Sequence, residues 1–136
     1  MKLRQTGPLH HIRKAKAVKP SLIYYQLGFA SIPFSCPNAL IAIVSDFILS
    51  LDEVQIAIIY SMREDGVKFS IRSELAHIHA GKMANQAMEG ISNGGGHAGM
   101  AGGLISKEEA EKLGVHIDLT IRERFIKVFE EMNRTS

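Results

Sequence analysis

The stretch SNGGGHAGMAGG, Ser92 to Gly103, places six glycines and one histidine in twelve residues. Glycine lets the backbone take positive φ and come close to another group, and consecutive exposed N–H groups in such turns form a concavity that suits an anion. One or two glycines suffice to reverse a chain. Gly94, Gly95 and Gly96 in a row before His97 therefore cost conformational entropy that an ordinary turn would not. The His97 imidazole can donate to a phosphate oxygen, ligate a metal or move a proton. Judged on glycine count alone, a surface loop that merely turns the chain explains the stretch equally well.

A second group of polar residues shifts that balance. In VKFSIRS, Val67, Phe69 and Ile71 alternate with Lys68, Ser70 and Arg72, so a strand here puts the three polar side chains on one face. Arg72 can grip a phosphate with a planar two-pronged contact, and Ser70 can add a hydroxyl donor.

The elements that must position these groups follow from the patterning. Ser21 to Phe29, rich in Leu, Ile, Tyr and Phe ahead of Pro33, reads as a strand. Leu40, Val44, Phe47, Ile48 and Leu51 recur at helical spacing after Pro37 and Asn38, and Ile41, Ala42 and Ile43 make the first half of that helix apolar on nearly every side. Val54 to Tyr60 and Val67 to Arg72, joined by Arg63-Glu64-Asp65-Gly66, form a β-hairpin. A helix is expected from about Leu75 to Glu89 despite Gly81, and Met100 to Ile105 can be a strand packed closely on a neighbour. Ser106 with Glu109 predicts a capping box for a short helix that Gly114 stops, and Thr120 with Glu123 a second box for a final helix with a stripe of Ile121, Phe125, Val128, Phe129 and Met132. Strands alternating with helices make an α/β domain, with a mixed sheet of about four to five strands flanked by helices.

Composition bounds the rest. The 136 residues are 46% apolar and 7% aromatic, which suits one domain with a modest core. The formal charge is only +2, yet Arg4, His10, His11, Arg13, Lys14, Lys16 and Lys19 crowd the first nineteen residues with no acid among them. Residues 1–19 read as a basic linker or interdomain tail and 20–136 as the folded domain. No apolar run reaches the roughly 18 residues of a membrane span, and no h-region follows the basic start, so no membrane association and a cytoplasmic location are expected. Cys36, the sole cysteine, reads as a small buried apolar residue.

SIRS at Ser70 to Ser73, a helix, and then GGGHAGMAG at Gly94 to Gly102 resemble the paired signatures of the DHHA1 domain, the C-terminal half of DHH-family phosphoesterases. Met100 stands where the family pattern usually has alanine. The resemblance implies that Ser70, Arg72, Ser73, the backbone of Gly94, Gly95 and Gly96, and His97 bind phosphate of a nucleotide or short oligonucleotide substrate. It further implies an N-terminal DHH domain whose aspartates and histidines hold Mn2+ or Mg2+, the metal activating water for attack on the phosphoester. No Asp-His-His triplet occurs in this chain, and Asp46, Asp52, Asp65 and Asp118 are scattered. The expectation is a detached substrate-binding domain that carries no catalytic residue, binds no metal itself and does not hydrolyse alone. A nucleic-acid-binding module without hydrolysis, like the related C-terminal domain of alanyl-tRNA synthetase, is the alternative.

Overall fold

The computed structural model describes residues 22–134 of the chain. The basic leader, residues 1–19, lies outside the described residues.

The chain enters as β1 (Leu22–Tyr24) and returns as β2 (Leu27–Ile32). The single strand expected over 21–29 is thus a tight hairpin, because Tyr25 takes positive φ, 53°, and turns the chain between two antiparallel partners. Helix α1 (Asn38–Leu49) follows, then β3 (Ile56–Arg63) and β4 (Gly66–Ser73). α1 is the crossover that makes β2 and β3 parallel, whereas β3 and β4 form the expected antiparallel hairpin. Helix α2 (Ala80–Ala87), β5 (Gly95–Gly96), β6 (Met100–Ser106), α3 (Lys107–Leu113), a 3-10 turn (Gly114–His116) and α4 (Ile117–Arg134) complete the order.

Among the described residues the sheet has six strands in the order β1-β2-β3-β4-β6-β5, mixed in direction and flanked by helices. The strands beyond the expected four to five are the short edge pieces, β1 and the two-glycine β5. Alternation divides the core between the two faces. Phe69, Ile71, Ile58, Tyr60 and Phe29 point toward α2 and α4, where Met83, Ala84, Phe125 and Phe129 cover them. Ala30, Ile32, Ala57 and Ile59 point the other way, under Leu40, Ile41, Val44 and Ile48 of α1. Cys36 is buried in this second cluster.

Two helix starts differ from the sequence reading. α2 begins at Ala80 rather than near Leu75, because the Ser73 hydroxyl donates to the Ile78 carbonyl at 2.8 Å and also meets the Leu75 backbone, holding residues 73–78 as a turn. α4 begins at Ile117, so Thr120 lies inside the helix instead of capping it; the 3-10 turn runs straight into α4 and delivers Ile117 to the core. The Ser106 cap stands, with its hydroxyl accepting from the Glu109 N–H at 3.2 Å, and Gly114 at φ 56° ends α3.

Candidate functional site

On the face that carries α1, the helix covers only β2 and β3. The next strands, β4 and β6, are left as the floor of an open groove of about 740 Å3 walled on one side by α1. The floor has two rows. Lys68, Ser70 and Arg72 of β4 lie directly opposite Leu104, Gly102 and Met100 of β6. The odd-numbered neighbours, Val67, Phe69 and Ile71, are turned into the core, which is why the even-numbered row stands free on this side. The wall contributes Asn38, Ile41, Ala42 and Ser45.

α1 holds both cations of the row. The Lys68 ammonium donates to the Asn38 side-chain carbonyl oxygen, and Arg72 donates through Nη1 to the Asp46 carboxylate. The Arg72 side chain makes no other hydrogen bond among the described residues, which leaves Nε and Nη2 without a partner there. The Ser45 hydroxyl is buried yet has no partner among the described residues. A buried hydroxyl without a partner is uncommon, and this one belongs to a groove-lining residue.

The glycine-rich stretch leads into β6 at its Met100 end and packs against α2, outside the lining of the groove. β5 pairs with β6, Gly95 facing Gly102 and Gly96 facing Ala101. His97, Ala98 and Gly99 then form a tight connection closed by the His97 N–H to Met100 carbonyl bond of 2.8 Å. All three of its carbonyls turn inward: that of His97 accepts from Gly81 N–H at 3.0 Å, that of Ala98 from Ala80 N–H at 2.8 Å, and that of Gly99 from Ser73 N–H at 3.0 Å. In a trans peptide the N–H opposes the preceding carbonyl. The Ala98 and Gly99 N–H groups consequently point outward, next to the strand end that carries Arg72.

The same bonds give α2 its cap. An α-helix begins with N–H groups that lack intrahelical partners. Here the loop carbonyls take those of Ala80 and Gly81, and His79 Nδ1 accepts from Lys82 N–H at 3.1 Å. The start of α2 is therefore already occupied, and the donors open to a ligand are those of the loop. The capping role of His79 was missed in the sequence, because histidine is not among the residue types that usually cap a helix start.

The predicted site residues thus fall into three groups. Ser70 and Arg72 share the groove. Gly95, Gly96 and His97 are exposed on the loop beside its Arg72 end, although they do not line it. Gly94 and Ser73 are engaged within the protein: Gly94 is buried, a Cβ there meeting the Ala84 carbonyl oxygen and the Phe69 ring at 3.0 Å, and the Ser73 hydroxyl is bound to the 75–78 turn.

Packing also sorts the glycines. A Cβ on Gly81 would lie 2.4 Å from the Gly96 carbonyl oxygen, and one on Gly103 2.7 Å from the Phe69 ring, so these positions let α2 and the β5–β6 hairpin close together. Gly95 differs, with nothing within 4 Å of its Cβ position and no positive φ. Gly95→Ala is accordingly expected to leave stability unchanged or raise it by up to about 1 kcal/mol through reduced chain entropy. Urea unfolding of the variant checks this.

No three His, Cys, Asp or Glu side chains gather as a metal-binding group among the described residues. The described residues thus offer a manganese or magnesium ion no such group of ligands. Tyr60, whose phenol is pushed up mainly by burial and further by the Asp118 side chain, lies on the opposite face of the sheet from the groove. No helix of the described residues is long and apolar enough to cross a membrane.

Comparison with known proteins bears on this arrangement. The chain is similar to RecJ from Thermus thermophilus in complex with Mg2+, at 19% identity and a TM-score of 0.57 over 88% of this chain and 17% of that one. It is similar to an exopolyphosphatase-related protein from Bacteroides fragilis, at 18% identity and a TM-score of 0.53 over 88% of this chain and 35% of that one. It also resembles the C-Ala domain of alanyl-tRNA synthetase from Aquifex aeolicus, at 18% identity and a TM-score of 0.51, covering 78% of this chain and 88% of that one. At such identities the likeness is one of fold. The chain spans about a third of the length of the exopolyphosphatase-related protein and about a sixth of RecJ. No curated protein matches it in sequence. The family model of the DHHA1 domain matches residues 19–123, which include every strand, the groove and the glycine loop. With most of its length matched in this way, the chain belongs to the DHHA1 domain family.

Proposed function

We propose that this domain binds the phosphate of a nucleotide or short oligonucleotide on behalf of a DHH-family phosphoesterase. Hydrolysis belongs, on this reading, to Mn2+ or Mg2+ held by an N-terminal DHH domain, while the present chain supplies binding and orientation. The observation that carries the reading is the Arg72 guanidinium on the floor of the groove, tethered through Nη1 with no other side-chain partner among the described residues, one residue before Ser73, which binds the Gly99 carbonyl of the glycine loop.

The parts divide the work by their geometry. The free Nε and Nη2 edge of Arg72 takes two phosphate oxygens in parallel, and Asp46 holds the planar group in the orientation that this contact needs. Ser70, two residues back on the same strand face, adds a hydroxyl. Backbone donors of the glycine loop and the His97 imidazole approach from the end of the groove, where the lack of side chains at Gly95 and Gly96 lets an anion come near the main chain. Ser73 acts from behind, its N–H fixing the Gly99 carbonyl.

Titration of adenosine monophosphate into the protein, followed by amide chemical shifts, tests the proposal. Arg72→Ala should weaken binding roughly tenfold to a hundredfold, as expected for losing hydrogen bonds to a charged group. Binding that survives this change, or that falls steeply with salt and needs only the basic leader, would instead favour nucleic-acid binding without a phosphate pocket.

A further inference from the structure

Lys68 and Arg72 occupy the same face of β4 four residues apart, about 13 Å along a strand. Asn38 and Asp46, which hold them, are eight residues apart on α1, about 12 Å along a helix. The two spacings match, so strand and helix run side by side and build a similar station at each end of the groove. The stations differ in charge. Arg72 is paired with a carboxylate, whereas Lys68 meets only a neutral amide oxygen and has no carboxylate partner among the described residues. At the same end α1 starts without a side-chain cap, after Pro37, and has no acidic residue in its first turn. Its partial positive charge adds to that of Lys68. Ser45, whose buried hydroxyl has no partner among the described residues, lines the groove next to Asp46, at the Arg72 end.

The second row is apolar where the first is cationic. Met100, opposite Arg72, and Leu104, opposite Lys68, are both exposed, at 55% and 41%. Between them Gly102 faces Ser70, which keeps the floor flat. Each end therefore offers a cation beside a bare apolar surface. A nucleotide chain repeats the same pair, a phosphate beside a base that stacks on apolar or sulfur-bearing groups.

Resting on the phosphate-binding reading of Arg72, we propose that Lys68 and the start of α1 form a second phosphate seat, and that the groove takes a single-stranded oligonucleotide of at least three nucleotides. Its phosphates lie along Lys68, Ser70 and Arg72, and its bases lie on Met100 and Leu104. A mononucleotide fills only the Arg72 end. Inorganic polyphosphate satisfies the cations but leaves the apolar row uncovered.

The test uses the whole chain and three probes, adenosine monophosphate, a 5′-phosphorylated adenosine trinucleotide and inorganic tripolyphosphate, measured by calorimetric titration. Lys68→Gln, which keeps the aliphatic stem, should weaken the trinucleotide about tenfold and leave the monophosphate within twofold. Leu104→Ser should weaken the trinucleotide severalfold and leave tripolyphosphate unchanged. Equal loss of monophosphate and trinucleotide in Lys68→Gln, or no loss of either, overturns the second seat while leaving the Arg72 site standing. Tripolyphosphate binding as tightly as the trinucleotide, with Leu104→Ser silent, overturns the nucleotide chain as occupant. Failure of the wild-type protein to bind any of the three overturns the phosphate-binding reading itself.

Discussion

Phe69→Ala is expected to lower stability by about 3–5 kcal/mol, the range for truncating a buried aromatic that leaves a cavity. Phe69 is 1% exposed and stands edge-on to Phe125 of α4, with ring centroids 6.2 Å apart. Its ring also fills the space left by two glycines, the Cβ positions of Gly94 and Gly103 lying 3.0 and 2.7 Å from it. Urea unfolding with an unchanged m-value is the measurement. Amide exchange at Gly81 should accelerate together with global unfolding, because the ring supports the strands on which the loop rests.

Gly81→Ala separates two opposed effects in one substitution. Helix propensity alone predicts a gain of at most about 1 kcal/mol, since Gly81 is the second residue of α2. The new methyl, however, would sit 2.4 Å from the Gly96 carbonyl oxygen and 2.8 Å from its carbon, both backbone atoms that no rotamer change can move. Overpacking of this kind typically costs about 1–3 kcal/mol and occasionally more. The steric effect wins, and a net loss of about 1–2 kcal/mol is expected, together with a shift of the His97 to Gly99 connection away from the end of β4. A stabilised variant, read by the urea midpoint, would show that the hairpin can slide without penalty.

Much of this arrangement could be read from residue types. The alternation of Val67 to Arg72 fixed which side chains share a face, and the helical stripes of Leu40 to Ile48 and Ile121 to Phe129 placed α1 and α4 against the sheet. Ser70 and Arg72 were found together because a two-residue period needs no tertiary knowledge. The hairpin at Tyr25 was hidden, since a bulky residue at positive φ carries no turn signal in its type. The start of α2 was misplaced because the Ser73 hydroxyl, rather than local propensity, decides where the helix begins. Long-range contacts were out of reach for the same reason. Nothing in Asp46 or Asn38 announces that they reach Arg72 and Lys68 across more than twenty residues of chain, and the packing role of Gly94 and Gly103 appears only once Phe69 is placed beside them.

The inward carbonyls of His97, Ala98 and Gly99 carry a consequence for recognition. Two are held by the first turn of α2, through the Gly81 and Ala80 N–H groups, and the third by the Ser73 N–H at the end of β4. A peptide segment so restrained has already lost its freedom before any guest arrives, and ordering it upon association adds little entropic resistance. On the proposed function, this rim, despite its richness in the most pliable amino acid, would receive an anion ready-shaped rather than moulded by contact.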